Sequence, residues 1–78
     1  MGIELKSMAW DKAQGLLASG VEITYALKGW PFWERLKSGD ISLYEQHARQ
    51  HSSDLRSGSV RCGDAAEYFV LTEGGEPA

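Results

Sequence analysis

The spacing of apolar and polar residues changes several times along this chain, and each change marks an element. Trp10, Ala13 and Leu17 recur at steps of three and four, with Ala9 and Leu16 beside them. That spacing gathers side chains on one helix face. Ser7 suits the N-cap and Gly20 the position just past the C-cap, so the pattern predicts a helix of about three turns between them. Val21, Ile23, Tyr25 and Leu27 then alternate with Glu22, Thr24, Ala26 and Lys28. Period two with β-branched and aromatic residues predicts a half-buried strand over residues 21–28, which Gly29-Trp30-Pro31 ends.

Pro31 has a backbone suited to the first position of a helix. A short helix is expected from it, with Phe32, Trp33 and Leu36 inward and Ser38-Gly39 as its stop. Ser42-Leu43-Tyr44-Glu45 has the form of a capping box, in which the hydroxyl and the carboxylate each satisfy a free backbone N–H at the other's position. It predicts a third helix with Tyr44, His47, Ala48, His51 and Leu55 on one stripe, closed by Ser57-Gly58. Two short strands are expected at Ser59–Cys62 and Glu67–Thr72, joined through Gly63-Asp64. Residues 73–78 have nothing to bury and are expected to be a disordered tail after a single domain over residues 1–72. The expected class is α+β: a small antiparallel sheet of about three strands with two or three helices packed on one face.

Length and charge narrow what such a domain can do. A chain of 78 residues buries only roughly 60% of its unfolded surface. Its one cysteine, Cys62, cannot close an internal disulfide. Stability must then come from an aromatic core or from self-association, and a homodimer is expected. The net charge of −3, with Asp64, Glu67, Glu73 and Glu76 and no base from Asp64 onward, argues against a general nucleic-acid binder. No basic stretch leads into an apolar run at the N-terminus, and Tyr68-Phe69-Val70-Leu71 is far too short to span a membrane. A lone cysteine fits a reducing compartment, so a soluble cytoplasmic protein with no membrane partner is expected.

Catalytic patterns are scarce. His47 and His51 stand four apart, the helical spacing at which two imidazoles can share a metal. A zinc-protease helix needs Glu between them where this chain has Ala48, and no third or fourth ligand is fixed by spacing. Cys62 follows Arg61 in an expected strand, where a structural thiol is the commoner case. No nucleophile elbow and no phosphate-cradling glycine loop is present. The expectation is a non-enzyme with no metal, no catalytic residues and no cofactor; a metal-dependent enzyme using His47 and His51 is the minor alternative.

The candidate binding residues are Lys28, Trp30, Trp33, Arg35, Arg49, Arg56 and Arg61. Lys28-Gly29-Trp30-Pro31-Phe32-Trp33 crowds three large aromatic rings into four positions, more than a small core takes up easily, and aromatic residues anchor interfaces. Lys28 and Arg35 beside them suit an anion. Arg49, Arg56 and Arg61 surround Ser57-Gly58-Ser59, whose N–H groups and hydroxyls suit a phosphate. A competing reading makes residues 31–56 a DNA-binding helix-turn-helix, with Arg49 and Arg56 on its second helix.

Two stretches resemble a known family. Trp10, Ala13, Leu17, Gly20 and Ile23, then Gly29-Trp30, and later Ala66-Glu67-Tyr68-Phe69-Val70, are similar to the anti-Thoeris nucleotide sponges, small phage-encoded anti-defence proteins. Thr24, Tyr25 and Ala26 stand where that family has basic residues. The resemblance implies a non-enzymatic oligomer that sequesters a signalling nucleotide or, more loosely, an anti-CRISPR-type inhibitor of a defence complex. The function expected from sequence is therefore a small binding or inhibitor protein of a phage or mobile element. It would block a host protein or capture a small anionic ligand.

Overall fold

A computed structural model describes residues 2–74 of the chain. In order these are β1 (Gly2–Met8), α1 (Trp10–Ala18), β2 (Thr24–Leu27), α2 (Pro31–Lys37), α3 (Ile41–Ser57) and β3 (Ala66–Gly74), with one 3-10 turn at Gly63–Ala65 leading into β3. The three strands form one antiparallel sheet in the order β1-β3-β2. Met8 faces Tyr68 and Leu5 faces Leu71 on one side of β3, while Thr24 faces Phe69 on the other. β1 and β2 therefore run parallel to each other, separated by β3. The α+β class and the three-stranded antiparallel sheet are as the residue pattern implies.

β3 is the core of the molecule, and its alternation explains why. Successive side chains on a strand point to opposite faces. Ala66, Tyr68 and Val70 join Ala13 and Leu17 of α1, Ile23, and Leu55 of α3 in one buried cluster. Phe69 joins Ala26, Leu36 of α2, and Leu43, Tyr44 and Ala48 of α3 in a second. Both faces of β3 are thus covered, which extends the single helix-covered face expected from the pattern. A central strand with apolar side chains of both parities requires cover on each side.

Five local expectations are corrected. The N-terminal segment is a strand, so Ser7 pairs opposite Phe69 instead of capping a helix; α1 starts after Ala9, which makes no side-chain cap. The long helix begins at Ile41 because the Asp40 carboxylate accepts the Leu43 N–H at 3.0 Å, which makes Asp40 the N-cap and leaves Ser42 inside the first turn. Residues 59–62 form no strand: the sheet is β1-β3-β2, and both edges of its central strand are taken by β1 and β2, so this segment does not pair beside β3 as the adjacent spacing implied. β2 is shorter than residues 21–28, spanning only Thr24–Leu27. β3 also continues past Thr72 through Gly74, drawn on by pairing with the start of β1; the rest of the expected tail, residues 75–78, lies outside the described residues.

The stops are as expected. Gly58 closes α3 with φ of 82°, a left-handed conformation that glycine adopts without steric cost. No helix is long and apolar enough to cross a membrane, among the described residues.

Candidate binding site

The turn after β2 builds the most exposed aromatic feature of the fold. Gly29, at φ of 87°, reverses the chain, and the Trp30 N–H returns to the Leu27 carbonyl at 3.2 Å. Trp30 then serves as the extended N-cap residue of α2, with Pro31 in the first helical position. This corner holds the indole away from the core, 60% exposed.

Beneath it, β2, α2 and α3 border an open groove of about 240 Å³ lined by Tyr25, Ala26, Leu27, Trp30, Phe32, His47 and His51. The rings form a connected set. His47 and His51 stack at 5.3 Å between centroids, and Phe32 meets His47 edge-on at 5.1 Å. Tyr25 lies 4.4 Å from His51. The His51 Nδ1 shares a hydrogen bond with the buried Thr24 hydroxyl of β2. Four residues of helix rise put both imidazoles over the strand edge, and the alternation of β2 brings Thr24 and Tyr25 to the same ring from two sides.

Burial lowers the His51 pKa from its ordinary 6.5, the charge of His47 adds to the effect, and Asp54 opposes it. A base depressed in the folded state binds its proton more readily when unfolded. Its contribution to stability is therefore complete above pH 6.5 and falls as the pH drops from there towards the lowered folded value. His51→Asn, which keeps a polar atom near Thr24 but does not titrate, is expected to flatten the fall of the urea midpoint between neutral and mildly acidic pH. Identical slopes for the two proteins would show that His51 carries none of it.

The expected binding residues are dispersed by the fold. Trp30 alone among them lines the groove. Trp33 is half-buried, its Nε1 donating to the Glu67 carboxylate at 2.8 Å, with Lys37 Nζ on the other oxygen at 3.4 Å. Burial works to raise the Glu67 pKa, but hydrogen bonds from Trp33 and Ser7 and the Lys37 charge outweigh it and hold the carboxyl low. Arg35 pairs with Asp40 at 2.9 Å. Arg56 fastens α3 to the end of α1, donating to the Leu17 and Val21 carbonyls at 3.0 and 2.8 Å. Lys28 and Arg49 are exposed, and Arg61 sits across the molecule beside Cys62.

The expected anion loop is turned inward. The Ser57 hydroxyl and the Ser59 N–H both donate to the Asp54 carbonyl, at 3.1 and 3.0 Å, so these donors close the end of α3. The helix pair of residues 31–56 does exist as α2, Ser38-Gly39-Asp40 and α3. The apolar stripe of α3, from Leu43 to Leu55, is packed into the core.

The lining of the groove is aromatic and aliphatic with two imidazoles, and holds no thiol, hydroxymethyl or carboxylate group. Cys62 lies elsewhere, its thiol pKa pushed up by burial. No cluster of three or more metal-ligating side chains occurs among the described residues. Compared with known protein families, curated proteins and solved structures, the chain matches none.

Sequence reading missed Tyr25, Leu27, Phe32 and the two histidines as one site. The signal was the His47/His51 spacing together with the Tyr25 and Leu27 alternation; what was missing was the docking of α3 along β2.

Proposed function

We propose that this protein is a small non-enzymatic binding protein that acts by occupancy, covering a site on a partner protein. The observation that carries this reading is Trp30, a large aromatic ring held 60% exposed at the rim of an aromatic groove. Exposed aromatic residues beside a pocket are the usual anchors of protein interfaces. Size favours a protein partner over a free nucleotide. Ligand sites for whole small molecules run from about 300 to 1,000 Å³, and this groove of about 240 Å³ suits one ring-sized side chain. Its lining carries no lysine or arginine for a phosphate. The likeness to phage anti-defence proteins supports a setting in which such a protein blocks a host defence component.

N-acetyl-tryptophanamide, a minimal aromatic side chain, is the probe. Titrated into 15N-labelled protein, it is expected to shift the Trp30 indole N–H and the amides of Tyr25–Leu27, His47 and His51 in a saturable way, while adenosine monophosphate leaves them in place. Trp30→Ala is expected to weaken the probe roughly tenfold or more, as loss of an anchor does. Its melting midpoint should move by no more than about 4 °C, as for a surface change. Shifts scattered over the surface, or unaffected by Trp30→Ala, would overturn the reading. Saturable binding of the nucleotide alone would favour capture of a small ligand.

A further inference from the structure

Among the described residues, the outer edge of β1 is an unclaimed row of backbone hydrogen-bonding groups. β1 pairs with β3 on one side only, and Ile3, Glu4, Lys6 and Ser7 are all exposed. The other edge of the sheet is managed differently: before β2, the Ser52 hydroxyl of α3 takes both the N–H and the carbonyl of Ile23, at 2.6 and 2.8 Å. Among the described residues, β1 has no such cover. It contains no proline, and its seven residues pair with β3 without a bulge, so it lacks two of the devices that keep edge strands apart.

We infer that this edge is where a second copy of the chain docks, β1 against β1, joining two sheets into one of six strands. The sequence of the strand selects the occupant. In a two-fold antiparallel pair, residues facing each other have side chains on the same face, so the register must be centred on a residue. Centring on Glu4 sets glutamate against glutamate, and centring on Lys6 sets lysine against lysine. Both also shorten the ladder. Centring on Leu5 pairs the whole strand and places each Glu4 opposite the Lys6 of the other copy, twice by symmetry. Opposite charges facing across strands stabilise a sheet, and like charges weaken it. The same register sets Leu5 against Leu5 on the other face. That side chain is only partly buried at the margin of the Phe69 cluster, so the two apolar cores meet there.

This docking is independent of the Trp30 groove, which lies between β2, α2 and α3. Its test is a charge exchange read by sedimentation equilibrium at micromolar concentrations. The wild-type chain is expected at twice 8.6 kDa. E4K and K6E each set like charges face to face twice, and each is expected to dimerise roughly tenfold or more weakly. Mixed together, the two variants are complementary and should form a heterodimer, and the double exchange E4K/K6E should dimerise as the wild type does. A wild-type chain that stays at 8.6 kDa would overturn the inference. So would single variants that dimerise as tightly as the wild type, or a mixture that does not assemble.

Discussion

Phe69→Ala is expected to be the most destabilising single substitution in the protein. Phe69 is 1% exposed in the central strand and packs with Ala26, Leu36, Leu43, Tyr44 and Ala48. Truncating a buried phenylalanine removes transfer free energy and leaves a cavity, at a cost of roughly 3–5 kcal/mol. A chain of 78 residues holds a total of roughly 4–12 kcal/mol at typical stability per residue. The loss therefore consumes from roughly a quarter of that reserve to all of it. Phe69→Leu keeps most of the volume and is expected to cost well under half as much. Urea unfolding followed by circular dichroism separates them: the alanine variant should lose its cooperative transition or show a sharply lower midpoint. Equal midpoints for the two variants would show that the Phe69 cluster is not the dominant core.

Ser52→Ala is the second large effect, and its cause is polar. The Ser52 hydroxyl is fully buried and holds the Ile23 N–H and carbonyl together. A serine within a helix can turn its hydroxyl back to its own helix; this one reaches across and bonds the backbone of Ile23, the residue just before β2. Alanine leaves both backbone groups buried without a partner, at roughly 1–3 kcal/mol for each. Hydrogen exchange at the Ile23 amide should accelerate by more than global destabilisation explains, because that amide has lost its acceptor. An unfolding midpoint within surface-mutation scatter, with Ile23 still protected, would mean that another group takes over the bond.

The parts of the fold visible in sequence are those whose cause is local. Pro31 opens α2, Ser38-Gly39 ends it and Gly58 ends α3, because each acts through its own backbone geometry. The stripe from Tyr44 to Leu55 was legible because helical spacing alone puts it on one face. β1 was hidden although Ile3 and Leu5 alternate with Glu4 and Lys6: an edge strand half open to water has a weak apolar signal, and Ser7 offers a competing cap. Residues 59–62 show the converse, since Val60 and Cys62 have strand spacing but pairing is a property of the whole sheet. The binding residues divide in the same way. A corner tryptophan is evident from Gly29-Trp30-Pro31. That Arg56 bonds the Leu17 and Val21 carbonyls depends on the approach of two helices distant in sequence.

The strand order carries a consequence for the birth of the molecule. β1 and β2 each pair only with β3, and β3 is the last of the described elements to leave a ribosome. Until it emerges, the nascent chain has helices but no ladder at all, and two strands wait with all their edges bare. Closing the sheet then means joining segments from opposite ends of the described chain, a search that slows folding. Translation that halts before Ala66 leaves a fragment with bare strand edges, prone to pair with its neighbours. The cell would meet such fragments as substrates for chaperones and proteases.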